Sequence, residues 1–198
     1  MNSLKQKLTN ANINLGDKFY KDCEIFASIL KQWNNTHNLT GACGDDDIEK
    51  NIIDSVYPLG FIKKATKLVD IGTGAGYPGL ILAMAMRQTN CILVEPRVKR
   101  VAFLNYIKNI LKLDNVEVLQ SRIEDTNIQN VDLITSRAVT NTKLLIDITS
   151  HISTKNTSYL FYKGSLLQDE LKDLNIDSYD VVNVEDRNYL YIKGSDDN

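Results

Sequence analysis

The sequence predicts an α/β protein: a doubly wound, mostly parallel sheet with a terminal antiparallel strand, preceded by an N-terminal helical segment. Three observations carry this. From Lys67 onward, short apolar runs alternate with stretches of helical periodicity, the pattern of strands joined by crossover helices. A glycine-rich turn, Gly72-Thr73-Gly74-Ala75-Gly76, follows the first run directly. The first sixty residues read as helical instead.

In that N-terminal part, Phe19, Cys23, Phe26, Ala27, Leu30 and Trp33 recur at three- and four-residue spacing and mark one apolar helical face. Asn34-Asn35 and the stretch Gly41 to Gly44 punctuate it. Asp45-Asp46-Asp47 then place acids in the first turn of a second helix that runs through Val56. Beyond it, Lys67–Ile71, Cys91–Glu95, Val116–Gln120, Val131–Ser136 and Ser158–Tyr162 read as five strands. Helices are expected near 77–87, 98–112, 141–151 and 165–172, and Tyr179–Val184 with Tyr189–Lys193 as a closing antiparallel pair. The organisation is thus a helical extension over 1–60 and a sheet domain over 61–198, packed as one unit. In such sheets, ligands bind at the carboxyl ends of the strands.

Composition narrows the function. With 198 residues, 43% of them apolar, the chain has enough hydrophobic surface for a sizeable core. No apolar run approaches the length of a membrane span, and the N-terminus has no apolar signal core. Three scattered cysteines, Cys23, Cys43 and Cys91, suit neither a zinc site nor a disulfide framework, so no metal is expected and the chain reads as cytoplasmic. A net charge of −2 argues against a protein that coats nucleic acid without specificity. A local basic face remains open, because Arg97, Lys99, Arg100, Lys108 and Lys112 fall close together.

The glycine turn decides the cofactor class. Gly74-Ala75-Gly76-Tyr77-Pro78-Gly79 formally fits the dinucleotide fingerprint G-x-G-x-x-G. That match begins two residues too late, however, because the strand runs straight into Gly72. The better register is Asp70-x-Gly72-x-Gly74-x-Gly76. An acid closing the strand repels a pyrophosphate and suits a cofactor that is cationic near the loop, as S-adenosylmethionine is. Pro78 fits the first turn of the next helix. Glu95 ends the second strand, where a carboxylate accepts both hydroxyls of a ribose. Together these residues describe an adenosylmethionine site on a Rossmann-like class I methyltransferase fold.

Further blocks resemble the RsmG (GidB) family of bacterial 16S rRNA methyltransferases. Trp33-Asn34 with Asn38-Leu39-Thr40 is similar to that family's W-N-x-x-x-N-L-T, and Ile53-Asp54-Ser55 to its L-D-S. Asp70 to Gly79 resembles D-x-G-[ST]-G-A-G-F-P-G, and Lys99 to Leu104 resembles K-R-x-x-F-L. Arg122-Ile123-Glu124, Arg137-Ala138 and Lys163-Gly164 match R-x-E, R-A and K-G. The resemblance runs nearly end to end. It implies methylation of N-7 of a guanine in 16S rRNA (guanine 527 of the 530 loop), with cofactor contacts at Gly72, Tyr77, Ile123, Glu124 and Arg137. Tyr77 stands where the family usually has Phe, and Asn51 where it often has His, so a role of that His is not transferred. Naked rRNA, an assembly intermediate and the whole small ribosomal subunit are all compatible substrates; the expected enzyme is a monomer.

The chemistry agrees. Guanine N-7 offers an in-plane lone pair and no proton, so transfer needs placement and charge management rather than a general base. No Asx/Ser-Pro-Pro-aromatic block of an adenine amine methylase follows strand four, and no cysteine lies near the motifs as a nucleophile. By topology, Arg122, Arg137 and Lys163 sit at the ends of strands three, four and five. There they are the candidates for catalysis, by holding RNA phosphate or a splayed base; the competing reading is a salt bridge to a nearby acid. Lys99 and Arg100 open a helix, where cations oppose its dipole, so an RNA phosphate is their expected partner. A small-molecule methyltransferase is the alternative on the same fold. A non-enzymatic binding module and a dehydrogenase fit the intact glycines and Glu95 less well.

Overall fold

The computed structural model describes residues 2–42, 44–172, 174, 178–185 and 187–195. Seven strands form one sheet: β1 (Lys67–Ile71), β2 (Asn90–Val94), β3 (Val116–Leu119), β4 (Leu133–Arg137), β5 (Ser158–Lys163), β6 (Asp180–Val184) and β7 (Arg187–Ile192). Their order is β3-β2-β1-β4-β5-β7-β6. The first five are parallel, and β7 is antiparallel to both β5 and β6. The chain winds outward from β1 to β3, then crosses back to β4 beside β1. Strand order therefore reverses between β1 and β4, which opens a crevice above their carboxyl ends. Register then sets the site, since Ile71 lies opposite Val94 on one side and Ser136 on the other. The next residues, Gly72, Glu95 and Arg137, are brought together at the mouth.

Alternation along the strands sends side chains to two cores. Leu68, Cys91 and Leu93 join one cluster with Phe26, Leu30, Ile52, Leu80, Phe103 and Leu104, while Val69, Ile92, Val94 and Ile134 join another with Ile123, Leu145 and Ile152. The first cluster is built by α1 (Asn2–Asn10), α2 (Asp17–His37), α3 (Asp45–Val56), α4 (Gly79–Ala85) and α5 (Val98–Leu111). The N-terminal helices thus share one core with the sheet. Helices α6 (Thr142–Thr149) and α7 (Leu167–Lys172) complete the chain order. Helix α4 packs against α2 and α3 on one side and β2 on the other, which explains why residues 79 to 84 are all buried and apolar or glycine.

Two expectations need correction. The amphipathic face beginning at Phe19 does not mark the first helix, because α1 precedes it and buries Leu4 and Leu8. Asn34-Asn35 does not break α2, which continues to His37 and ends where Asn38 adopts a left-handed conformation at φ 50°. Asn34 instead turns the chain after the helix: its carbonyl accepts the Asn38 amide and its side chain accepts the Thr40 amide at 2.9 Å. Cys23 and Cys91 are buried, and burial pushes both thiols up, that of Cys91 to about 12. Cys43 lies outside the described residues.

Candidate active site

At the β1/β4 crevice lies a cavity of about 680 Å³, within the usual range for small-ligand sites. Its floor is the glycine turn. Gly72 has φ +64°, and a Cβ there would sit 2.7 Å from Cγ2 of Val139, so this position strongly disfavours any side chain. Val139 reaches this contact because Ala138 turns the chain left-handed at φ 55°, immediately after Arg137.

Asp70 organises the turn from beneath. It is fully buried, accepts the Thr135 hydroxyl at 2.7 Å on one oxygen and the Gly79 amide at 2.9 Å on the other. It therefore ties the start of α4 to β1 and β4. A Cβ on Gly79 would lie 2.5 Å from Asp70, so helix and strand meet here backbone to side chain. Burial, opposed by the neighbouring donors, pushes the Asp70 carboxyl up to about 6.

Glu95 forms the second wall. Its Oε2 accepts the Gly74 amide and its Oε1 the Arg97 amide, each at 3.0 Å. Each carboxylate oxygen has a second acceptor position, so the group still has capacity for a vicinal diol. Arg100 Nη1 lies 3.5 Å from Glu95, and its Nη2 donates to the Leu39 carbonyl at 3.5 Å. Through Arg100 the loop after α2 becomes the third wall, with Leu39, Thr40 and Gly41 lining the cavity.

The rim carries charge of both signs. Arg122, Ile123 and Glu124 line it from the segment after β3. Arg137 lines it from β4, its guanidinium 4.9 Å from the centre of the Tyr77 ring. Nη1 of Arg137 donates to Asn51 Oδ1 at 2.8 Å and to Asp54 Oδ2 at 3.0 Å, both on α3. Tyr77 is buried edge-on against Phe26, and its hydroxyl has no hydrogen-bond partner among the described residues. Among the described residues nothing around the ring calls for that hydroxyl.

The cavity thus gathers Gly72, Gly74, Tyr77, Glu95, Arg100, Arg122, Ile123, Glu124 and Arg137. Asp70, Gly76, Lys99 and Lys163 do not line it. Lys99 is exposed on α5. Lys163 is 7% exposed and its Nζ donates to Glu170 Oε2 at 2.7 Å and to the Thr140 carbonyl at 3.0 Å. The same Glu170 oxygen accepts the Thr142 amide at 2.7 Å. This cluster fastens the segment between β4 and α6. Sequence reasoning had assigned no site role to Leu39, Thr40, Gly41, Arg97 or Val139, all of which line the cavity, nor to Asp54 as a partner of Arg137. The block from Trp33 to Thr40 was the available signal for the third wall.

The donor set fits S-adenosylmethionine. A buried carboxylate with free acceptor capacity suits ribose hydroxyls, backbone of the glycine turn approaches without side chains, and acids with arginines match a ligand bearing both charges. Sheet order and crevice define a class I methyltransferase fold. A methyltransferase from Geobacter sulfurreducens superimposes with a TM-score of 0.64 at 15% identity, covering 86% of this chain and 88% of that one. A ribosomal protein L11 methylase from Lactobacillus delbrueckii gives 0.56 at 11% identity over 75% and 80%. A family model described as "rRNA small subunit methyltransferase G" (GidB) matches residues 20–196. Proteins named ribosomal RNA small subunit methyltransferase G are 59% identical in Aliarcobacter butzleri (96% of this chain, 98% of that protein) and 41% identical in Wolinella succinogenes (98% and 100%). The chain belongs to the GidB family of small-subunit rRNA methyltransferases.

Proposed function

We propose that this enzyme methylates N-7 of guanine 527 in the 530 loop of 16S rRNA. Membership of the family makes it an S-adenosylmethionine-dependent methyltransferase of small-subunit rRNA; the guanine and the residue roles are the finer reading. The observation that carries it is the cavity itself, in which a Glu95 wall suited to a nucleoside stands beside a rim bearing Arg97, Arg122 and Arg137.

When bound, S-adenosylmethionine supplies an electrophilic methyl on a cationic sulfur. The chain's own residues then position. Glu95 would hold ribose hydroxyls, the turn from Gly72 to Ala75 and Tyr77 would hold the methionine end, and Ile123 with Glu124 would close the far side. Arg122 and Arg137 bind phosphate or an acceptor edge of the splayed guanine. Transfer would form one N–C bond at N-7 as the cofactor's C–S bond breaks, with no proton to remove, so these residues need supply only placement. Acids such as Glu124 at the rim would favour the positive charge that the purine acquires. Lys99 adds a phosphate contact from α5. Lys163 acts by fixing the segment after β4.

We further read the protein as a cytoplasmic monomer working on the small ribosomal subunit or its RNA; no described helix is long and apolar enough to cross a membrane. Mapping N-7 methylation on 16S rRNA from cells with and without the gene tests the function. Unmodified guanine 527 only in the deleted strain is expected, and identical maps would overturn it.

A further inference from the structure

The grip on Arg137 has an asymmetry. Only Nη1 is used: Asn51 Oδ1 and Asp54 Oδ2 both accept from it. Among the described residues no hydrogen bond engages Nε or Nη2. The face of the guanidinium rests over the Tyr77 ring, 4.9 Å from its centre. The guanidinium is thus fixed from behind and beneath, and its remaining donors stay free on a side chain that lines the cavity.

Asp54 is shared. Its other oxygen accepts Arg187 Nε at 2.7 Å and the Tyr189 hydroxyl at 3.0 Å, both from β7. Arg187 and Tyr189 together therefore occupy the acceptor positions that a bidentate Arg137–Asp54 pair would need. With the second oxygen taken, Arg137 is confined to one nitrogen and cannot turn its fork wholly toward α3. Nearby Tyr162, on β5, donates to the Ser55 carbonyl at 2.7 Å and fixes this turn of α3 to the sheet. Three distant parts of the chain, α3, β4 and β7, meet on one carboxylate.

We propose that Asn51, Asp54 and Arg187 are positioning residues for methyl transfer: they hold Arg137 by a single nitrogen so that its other donors face the bound cofactor and RNA. This rests on the proposed function, and it assigns the helical extension and the closing strand to the reaction geometry. A merely structural ion pair would predict loss of stability on mutation and nothing more.

Two variants separate these cases. Asn51→Ala removes one contact to Arg137 from a half-buried residue and leaves Asp54, Arg187 and the core intact. Its melting temperature should stay near wild type, while single-turnover transfer to 16S rRNA falls about 10-fold or more, in line with the cost of misplaced reacting groups. Asn51→Asp keeps the accepting oxygen and should restore transfer. Asp54→Asn leaves two guanidinium groups without a carboxylate and should both destabilise the protein and slow transfer. Adding Arg187→Gln removes one stranded cation, so the double variant should regain melting temperature without regaining transfer. S-adenosylmethionine affinity, measured by calorimetry on the same proteins, should fall in parallel. Folded Asn51→Ala or double variants that transfer and bind within about twofold of wild type would overturn the proposal. Failure of the wild type to methylate the RNA would overturn the proposed function instead, and cofactor affinity of the variants would then decide this inference alone.

Discussion

Glu95 accepts the backbone amide of Gly74 at 3.0 Å, a bond that joins the ends of two adjacent parallel strands across the glycine turn. The carboxylate proposed to receive a ribose is therefore also the one that shapes the turn. Glu95→Ala should weaken S-adenosylmethionine binding by about 10- to 100-fold, the worth of one charge-assisted hydrogen bond. Glu95→Gln keeps one accepting oxygen and should lie between. Unchanged affinity of the Ala variant in calorimetry would remove Glu95 from the site.

Lys99 and Arg100 are neighbours with different duties. Lys99 is exposed, whereas Arg100 reaches back to Glu95 and the Leu39 carbonyl. Lys99→Ala should weaken RNA binding whatever the sequence and lower the salt slope by about one unit, with cofactor affinity unchanged. Arg100→Ala should lose cofactor affinity too, because the wall formed by Leu39 to Gly41 is released. Binding titrations at several salt concentrations, with and without cofactor, distinguish the two.

Arg137→Lys keeps a charge but loses the planar fork. Transfer should fall by about 100-fold, nearly as far as in Arg137→Ala. The Ala variant should also lose about 1–3 kcal/mol of stability, since Asp54 and Asn51 each lose a donor. Near-normal single-turnover transfer by the Lys variant would show that charge alone suffices.

Asp70 gives a pH signature. Its folded carboxyl is raised to about 6 by burial, above its ordinary value of 3.8. The native state therefore binds the proton more tightly than the unfolded chain. Its contribution is most favourable below the ordinary value and is lost as pH rises through about 6. In Asp70→Asn the amide oxygen can face the Gly79 amide while the Thr135 hydroxyl turns to accept, so the protein should fold. Melting curves from pH 4 to 7 should show a flatter pH dependence in that variant; identical slopes would sink the assignment.

Lys163→Ala should act through the segment after β4. Burial works to raise the Glu170 carboxyl, but Lys163 and Thr142 hold it below its ordinary value. Removing the lysine should cost about 1–3 kcal/mol and increase hydrogen exchange over residues 138 to 142. Full stability with abolished transfer would instead place Lys163 in direct contact with substrate.

The sequence by itself determined the alternation of strands and helices from Lys67 onward, the glycine register and the place of Glu95 at the end of the second strand. Each of these is legible locally: Lys67–Ile71 by its own apolar run, and Gly72 by the glycine spacing that follows it, although its contact with Val139 is tertiary. The position of Glu95 beside the glycine turn was legible because strand ends come together in any sheet of this winding. Partnerships across the chain were decided by tertiary structure alone. The acid at Asp54 met Arg137 and Arg187 only once β4 and β7 had taken their places, and Lys163 met Glu170 rather than the cavity. Side-chain direction and competing acceptors set such pairings, and neither is encoded in the spacing of residues. The same holds for Leu39 to Gly41, which became a cavity wall because Asn34 turned the chain and Arg100 reached the Leu39 carbonyl. Periodicity specifies which face is buried; packing decides what that face meets.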